Sequence, residues 1–223
     1  MTDERAKQMF LYGTGAVAVL AVAGLAWAIA AGPNTAYDGR ARIESGLQFS
    51  DDNDPIRGPA EAKTVVRIFS DLQCPACRGA EEGLDYAMAT YASSVKFVWN
   101  DFPLTALHPN AQPAAEAARC AEAQGKFWEF RSHLFERQPE WERQASLSGI
   151  FASYAKTLGL DEGAFTACVA AKTFAGKVSA DMAEGNANSV RATPTFFIGN
   201  RRVEGAMSAQ EWDAEIRKAM AAS

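Results

Sequence analysis

The sequence predicts an α/β domain with a helical insertion, preceded by a single N-terminal transmembrane helix. Apolar, β-branched stretches at residues 65–69 and 195–198 are typical of buried strands, whereas the sequence between them is mostly helical in its apolar spacing. Near the N-terminus, residues 10–31 carry no charged side chain. We therefore divide the chain into an N-terminal tail at 1–9, a transmembrane anchor or signal segment at 10–31, a linker at 32–60 and the domain at 61–223, with its insertion at about 109–190.

The N-terminal apolar segment is long enough to cross a bilayer once. A membrane-spanning helix needs about 20 apolar residues, and residues 10–31 meet that requirement. A cleaved signal peptide is the alternative, because Ala28-Ile29-Ala30 resembles a cleavage site. The apolar core of a signal peptide is usually shorter, so we expect an uncleaved anchor in the cell membrane. In either case we expect the domain to be exported to the extracytoplasmic side.

Residues 32–60 are predicted to be a tether between the membrane and the domain. They contain breakers such as Gly32-Pro33-Asn34-Thr35 and show little apolar periodicity. The whole chain carries a net charge of −5 and has no basic stretch that could follow a phosphate backbone. Binding to nucleic acid is therefore not expected.

A Cys-Pro-Ala-Cys motif lies where the first predicted strand, at 63–70, gives way to a helix predicted at 75–92. The free N–H groups and the dipole at a helix start stabilise a thiolate there. We therefore expect Cys74 to be the attacking nucleophile and Cys77, one turn further on, to be the buried resolving thiol. Pro75 suits the first helical position, and Ala76 completes the motif.

A zinc site is the main alternative use of two cysteines at this spacing, and two structural thiols are the other. Zinc needs a second pair of ligands at short spacing. The other two cysteines and both histidines are isolated in the sequence: Cys120, Cys168, His108 and His133. We therefore predict a redox-active Cys74–Cys77 disulfide, with no metal and no other cofactor.

A second motif, Thr193-Pro194, precedes the strand at 195–198. A proline before a strand is commonly an edge or turn residue. The combination of Thr-Pro, an apolar strand and a Gly199-Asn200 hairpin turn also fits a cis-proline loop beside a redox site. We expect Thr193–Pro194 to be cis and to lie against Cys74.

The remaining elements complete the domain. Residues 95–99 alternate as a strand, which we predict to lie parallel to the first strand through a right-handed crossover. Aromatic residues at helical spacing, such as Phe127 and Phe130, are predicted to form the core of the insertion. Residues 202–205 form the last strand, and Ser208 with Glu211 forms a capping box that begins a final helix.

In their order along the chain, these motifs resemble the thioredoxin superfamily, and more closely its DsbA-like thiol-disulfide oxidoreductases. The resemblance covers about residues 54–222. The matching stretches are Asp54-Pro55-Ile56-Arg57-Gly58-Pro59, Phe69-Ser70-Asp71, Cys74-Pro75-Ala76-Cys77, Asp101-Phe102-Pro103-Leu104, Leu107-His108-Pro109, Gly125-Lys126-Phe127-Trp128 and Thr193-Pro194-Thr195-Phe196-Phe197. The resemblance implies a thioredoxin-like fold with a helical insertion and the activity of a protein thiol-disulfide oxidoreductase.

The resemblance also implies roles and partners. Cys74 and Cys77 would be the catalytic pair, and Thr193 with Pro194 would present backbone to an extended substrate strand. The implied partners are reduced or unfolded exported proteins and a membrane redox protein that reoxidises the site. We expect a monomer, held at the membrane by residues 10–31.

One position departs from the family pattern. Many relatives carry an acidic residue in the first strand, seven positions before the first cysteine, and this chain has Arg67 there. If that acid normally helps to move the proton of the second cysteine, Asp71 could do so in this chain. Asp71 could instead be a turn residue, and the sequence leaves both possibilities open. His108, which stands before a helix, is predicted to be a loop or capping residue.

Cys120 and Cys168 are expected to form a structural disulfide within the insertion. Both lie in predicted helices and are flanked by small residues that let helices approach closely. Two nearby thiols rarely stay reduced in an oxidising compartment. Two separate buried cysteines acting as small apolar residues are the alternative.

The first functional hypothesis is a membrane-tethered enzyme that forms disulfides in secreted or cell-envelope proteins. A disulfide reductase or isomerase of the same fold is an alternative, which the redox potential of the Cys74–Cys77 pair distinguishes. A non-enzymatic metal-binding or adaptor domain is a further alternative, which metal content after purification distinguishes.

Overall fold

The computed structural model of this chain describes residues 41–222. The predicted tail, the predicted transmembrane segment at 10–31 and the start of the predicted linker lie outside the described residues. Within 41–222, no helix has both the length and the apolar character that a membrane span requires. The anchor therefore stays a prediction.

A six-stranded sheet forms the centre of the domain. Its strands are β1 Arg42–Ile43, β2 Ile56–Arg57, β3 Thr64–Ser70, β4 Val95–Asp101, β5 Thr195–Ile198 and β6 Arg201–Glu204. Their order across the sheet is β1-β6-β5-β3-β4-β2. Strand β3 pairs in parallel with β4 and antiparallel with β5, so the strand that leads into the Cys-Pro-Ala-Cys motif is central.

Eight helices are described. They are α1 Pro75–Thr90, α2 Ala111–Glu122, α3 Phe127–Glu136, α4 Gln138–Trp141, α5 Ser148–Thr157, α6 Glu162–Ala170, α7 Ala175–Ala187 and α8 Ala209–Ala221. Helix α1 supplies the crossover that the parallel β3–β4 pair requires. Helices α2 to α7 follow β4 and precede β5, so the predicted α/β fold with a helical insertion is confirmed.

The sheet separates two hydrophobic cores because successive side chains of a strand point to opposite faces. On β3, Val66 and Ile68 join the large core, which also includes Trp212 of α8 and the aromatic residues of the insertion. Phe69 points the other way into a smaller core with Phe197. The apolar patterns that predicted β3, β5 and the insertion therefore correspond to observed core residues.

The structure corrects the prediction for the C-terminal part of the linker. Residues 41–60 belong to the domain: β1 pairs with β6 and β2 pairs with β4, while Leu47 and Phe49 pack against the smaller core. Two-residue strands and isolated apolar side chains produce no periodic pattern, which is why the linker was predicted to extend to residue 60. The domain therefore already includes residues 41–60 instead of beginning at residue 61.

Arg67 has a structural role in this N-terminal segment. Its guanidinium bonds to the Asp51 carboxylate and to the Ser50 carbonyl oxygen at 3.0 Å. The same group lies 4.6 Å from the centre of the Phe49 ring. Arg67 therefore fastens residues 49–51 to the face of the sheet that carries the smaller core.

The predicted bridge in the insertion is present. Cys120 of α2 and Cys168 of α6 form a disulfide with a Cα–Cα distance of 5.9 Å. Nearby, Phe130 lies 5.2 Å from Phe165 and 6.3 Å from Phe151, measured between ring centres. The insertion is therefore a packed, cross-linked helical layer with its own aromatic core.

Candidate active site

Asp71 shapes the turn that places Cys74 at the start of α1. The Asp71 carbonyl oxygen accepts from the Cys74 N–H at 3.0 Å, and its Oδ1 accepts from the Gln73 N–H at 2.8 Å. Cys74 is the N-cap of α1, and Pro75 is the first helical residue. The backbone therefore leaves β3, turns once and aims free N–H groups of a helix start at the first cysteine.

The two cysteines are free thiols with opposite environments. Cys74 is 7% exposed and Cys77 is 1% exposed. Pro75 and Ala76, between them, are exposed. A reactant can therefore approach the exposed edge of Cys74, whereas Cys77 lies behind it in the large core.

The same geometry separates the acidities of the two thiols. A hydrogen bond from the Cys77 thiol, together with the Thr193 side chain and the backbone N–H groups of Cys77 and Ala76, lowers the pKa of Cys74 to about 5. Burial raises the pKa of Cys77 well above its ordinary value, and the hydrogen bond to Cys74 and the charge of that thiol raise it further. At neutral pH the pair therefore carries one thiolate, on Cys74.

The Thr193–Pro194 loop lies beside Cys74, although the two are far apart in sequence. The Thr193–Pro194 peptide bond is cis, as the sequence predicted. The Thr193 carbonyl oxygen lies 3.6 Å from Cys74 Sγ. Strand β5, which begins at Thr195 and pairs with β3, holds this loop against the start of α1.

Asp71 is a turn residue, and both oxygens of its carboxylate have polar partners. It is 1% exposed, and its Oδ2 accepts from the Leu104 N–H at 2.9 Å. His108 Nδ1 lies 2.7 Å from the same oxygen. The sequence suggested only a loop or capping role for His108, and the contact with Asp71 was missed because nothing local signals it.

Amide side chains fasten the active-site loop to the helical insertion. Gln138 Nε2 donates to the Leu72 carbonyl oxygen at 2.9 Å and to the Cys74 carbonyl oxygen at 3.3 Å. Gln73 Oε1 accepts from the Asn110 N–H at 2.6 Å. These contacts were also missed, since single amides in helical segments carry no distinctive pattern.

Arg67 occupies the position at which many relatives carry an acid, and β3 has no acidic side chain elsewhere. Arg67 faces the smaller core, as described above, and the Ser70 side chain hydrogen-bonds to Cys77 and lowers the pKa of that thiol. The backbone N–H of Asp71 lies 3.5 Å from Cys77 Sγ. The polar groups that contact the resolving thiol therefore include a hydroxyl and a backbone N–H.

Among residues 41–222, no three histidine, cysteine, aspartate or glutamate side chains are grouped so that they could hold a metal ion. Cys120 and Cys168 are committed to their disulfide.

Comparison with known proteins places this arrangement in a family context. A family model described as thioredoxin matches residues 50–218. Among curated proteins, the Na(+)/H(+) antiporter NhaA 3 of Salinispora tropica is 38% identical over 172 residues, which cover 77% of this chain and 26% of that protein. The chain thus spans about a quarter of the length of the curated relatives it matches.

Solved structures share the fold over most of the chain. Oxidised BdbD from Bacillus subtilis has a TM-score of 0.70 at 23% identity and covers 78% of this chain and 96% of its own. A thioredoxin-like oxidoreductase from Silicibacter pomeroyi has a TM-score of 0.65 at 25% identity, with coverages of 81% and 99%. For α-DsbA1 of Wolbachia pipientis the TM-score is 0.67 at 20% identity, with coverages of 79% and 96%.

Proposed function

The chain belongs to the thioredoxin family and has the DsbA-like thiol-disulfide oxidoreductase fold that its sequence predicted, and from this we propose that it forms disulfide bonds in exported proteins. The observation that carries the proposal is the pair of opposed thiols at the start of α1. One thiol is partly accessible, with a pKa of about 5, and the other is buried, with a raised pKa.

Disulfide exchange uses this difference directly. Starting from the Cys74–Cys77 disulfide, a client thiolate attacks Cys74 Sγ, forms a mixed disulfide and releases the Cys77 sulfur as a thiolate. That thiolate takes up a proton because Cys77 is buried. A second client thiolate then attacks the client sulfur of the mixed disulfide and releases Cys74 as a thiolate. The client has lost two electrons, and the cysteine pair has gained them.

The direction of transfer follows from the stability of the released thiolate. A thiol with a low pKa is a good leaving group, and its stable thiolate favours the reduced form of the pair. The lowered pKa of Cys74 therefore favours oxidation of clients over their reduction. The equilibrium between the Cys74–Cys77 pair and a glutathione buffer separates this oxidase from a reductase of the same fold.

Client recognition is proposed to occur at the edge of the site formed by Thr193 and Pro194. The Thr193 backbone lies next to Cys74 Sγ, and Pro75 and Ala76 are exposed beside it. An extended client segment could pair with the Thr193 backbone while its cysteine reaches Cys74. A membrane redox protein is proposed to remove the two electrons afterwards and restore the disulfide.

Export and membrane tethering are also part of the proposal. The uncharged segment at 10–31 supports an anchor. The Cys120–Cys168 disulfide supports an oxidising compartment. The proposed location is therefore the cell membrane, with the catalytic domain on the extracytoplasmic side.

Mixed-disulfide trapping in cells tests the mechanism and the location together. In Cys77→Ser the Cys74 thiolate can attack a client disulfide, forming a mixed disulfide and releasing the other client sulfur as a thiolate. Clients bound to Cys74 should then accumulate, because the nearby thiol that would release them is gone. The adducts should be found in the membrane fraction and should dissociate on reduction. The matched control, Cys74→Ser, should trap few clients. Equal trapping by both variants would contradict the assigned roles, and adducts confined to the soluble exported fraction would contradict the uncleaved anchor.

A further inference from the structure

The Cys77 sulfur has to carry a negative charge inside the protein during disulfide exchange. Its side chain is 1% exposed and belongs to the large core. When a client thiolate attacks Cys74 Sγ, a bond forms between the client sulfur and Cys74, the Cys74–Cys77 bond breaks, and its electron pair stays on Cys77 Sγ. A buried charge without hydrogen bonds is costly, so the groups that contact this sulfur affect the rate of exchange.

Two polar groups at the end of β3 contact this sulfur. The Asp71 N–H lies 3.5 Å from Cys77 Sγ, and the Ser70 side chain hydrogen-bonds to Cys77. Burial raises the pKa of Cys77, and the hydrogen bond to Cys74 and the charge of that thiol raise it further, whereas the bonds from Ser70 and Asp71 lower it. Both of these groups therefore favour the charged form of Cys77.

Strand β3 directs the Ser70 side chain toward the large core. Alternate side chains of a strand share a face, and Val66 and Ile68 of β3 belong to the large core together with Cys77. Ser70 continues this face and is 4% exposed. Its carbonyl oxygen accepts from the Phe102 N–H at 2.9 Å. The hydroxyl is therefore held beside the sulfur before any reaction begins.

Arg67, at the position where many relatives carry an acid, lies on the other face of β3. Its guanidinium bonds to Asp51 and lies over the Phe49 ring, so it does not serve Cys77. A carboxylate could accept the proton of the Cys77 thiol, whereas the Ser70 hydroxyl can donate a hydrogen bond to the sulfur. The chemistry available at Cys77 is therefore stabilisation of its thiolate by hydrogen-bond donors.

We propose that Ser70 is a catalytic residue: its hydroxyl, together with the Asp71 N–H, binds the Cys77 thiolate that forms during disulfide exchange. This proposal rests on the redox function proposed above. Donors that are already aimed at a developing charge lower the barrier, because they need not reorganise during the reaction. After attack on Cys74 by a client, the Cys77 thiolate takes up a proton that originates from water. In the reverse direction the same thiolate attacks Cys74 Sγ and expels the client thiolate.

Loss of the hydroxyl should slow attack by Cys77 about three- to tenfold. A hydrogen bond to a charged group corresponds to roughly one to two pKa units, so without it the thiolate fraction of Cys77 falls. The rate changes by about half of that on a logarithmic scale, because a more basic thiolate is also more nucleophilic.

Sequential mixing of the reduced full chain, in detergent, with 5,5′-dithiobis(2-nitrobenzoate) measures the two cysteines separately. At a pH of about 4 a fraction of Cys74 is ionised and attacks the reagent, which forms a mixed disulfide and releases one coloured thiolate, while Cys77 stays protonated. A jump to neutral pH then lets Cys77 attack Cys74 Sγ. The Cys74–Cys77 disulfide forms, and the second coloured thiolate leaves.

Ser70→Ala should leave the first release close to the wild-type rate and should slow the second release about three- to tenfold. Thr64→Ala is the matched control: Thr64 is 3% exposed and lies on the same face of β3 at its opposite end. This control also removes a buried hydroxyl, but about 20 Å from Ser70, so both releases should keep their wild-type rates. Ser70→Thr retains the hydroxyl in a residue that suits a strand, and its second release should stay close to wild type.

The outcomes separate this inference from the proposed function. A second release at the wild-type rate in Ser70→Ala would overturn the role of Ser70, even if the protein oxidises clients normally. Equal slowing of both releases, or a second release as slow in Ser70→Thr as in Ser70→Ala, would also overturn it, because the effect would then come from the packing of β3. A wild-type protein that never releases the second coloured thiolate would contradict the proposed function, whatever Ser70 does.

Discussion

At the scale of single residues, the acidity of Cys74 is set mainly by its neighbour Cys77. The hydrogen bond from the Cys77 thiol is the largest cause that lowers the pKa of Cys74, followed by the Thr193 side chain and then by the backbone N–H groups of Cys77 and Ala76 at the start of α1. The helix start predicted from the sequence is confirmed, but it lowers the pKa of Cys74 less than the Cys77 thiol does. The sequence showed only the helix, because the side-chain bond depends on how deeply Cys77 is buried.

Titration of the reduced protein tests this ordering. The rate of alkylation of Cys74 by iodoacetamide should follow its thiolate fraction, with a midpoint at about 5. In Cys77→Ala the thiol donor is absent, so the midpoint should move upward while the helix contribution remains. A midpoint near that of an ordinary thiol, about 8.5, in the wild-type protein would contradict the structure.

The same shift predicts how the stability of the reduced form depends on pH. The pKa of Cys74 is depressed in the folded state, so its contribution is fully present above the unfolded value of about 8.5. It is lost as the pH falls through about 5. The oxidised protein has no such thiolate, so the free energy of unfolding of the reduced protein should fall relative to that of the oxidised protein as the pH decreases across this window.

At the scale of secondary-structure elements, Arg119 joins α2 to three other parts of the domain. The side chain is fully buried. Its guanidinium binds Asp101 at the end of β4 at 2.6 Å, Asp181 of α7 at 2.6 Å and Asp54 before β2 at 3.1 Å. Lys177 adds a second positive charge, 2.6 Å from both Asp54 and Asp181.

Removing this guanidinium should be strongly destabilising. Arg119→Met leaves buried carboxylates without their main partner, and breaking a buried ion pair costs about 3–5 kcal/mol. Denaturant unfolding measures the change. Arg137→Met is the matched control, because Arg137 and its partner Glu140 are 47% and 51% exposed, and such surface pairs contribute about 1 kcal/mol or less. Equal effects in the two variants would show that the cluster does not hold the elements together.

The elements that the sequence predicted are those with a local signal. Strand β3, helix α1, the β5–β6 hairpin and the Ser208 capping box all appear where they were expected. The sequence missed β1 and β2, which are two residues long, and it missed contacts between distant residues. Arg119 and Asp54 are 65 positions apart, and His108 and Asp71 are 37 apart, so no spacing rule could connect them.

At the scale of the whole domain, both the helical insertion and β5 support the redox site. Gln138 and Asn110 of the insertion hold the loop that carries Cys74. The Thr193–Pro194 loop, which leads into β5, lies against Cys74 itself. The insertion must therefore stay folded for the active-site loop to keep its shape.

The Cys120–Cys168 disulfide is expected to stabilise this insertion without taking part in catalysis. It joins α2 to α6 across a sequence separation of 48 residues. Closing a loop of that size in the unfolded chain corresponds to an upper value of about 4 kcal/mol. Gln138 and Asn110 make the contacts with the active-site loop, and Cys120 and Cys168 do not take part in them. The chemistry at Cys74 should therefore not require the bridge.

A Cys120→Ala/Cys168→Ala double variant tests both parts of this expectation. Its melting temperature should fall, while client oxidation below that temperature should persist because Gln138 and Asn110 are unchanged. Non-reducing peptide mapping of the wild-type protein should give a linked 120–168 peptide, and Cys74→Ser/Cys77→Ser is the control that leaves only this pair. Two free thiols in the exported protein would refute the bridge. Lost oxidation with unchanged stability would instead assign the pair a part in electron transfer, because a purely structural crosslink can affect turnover only through the fold it stabilises.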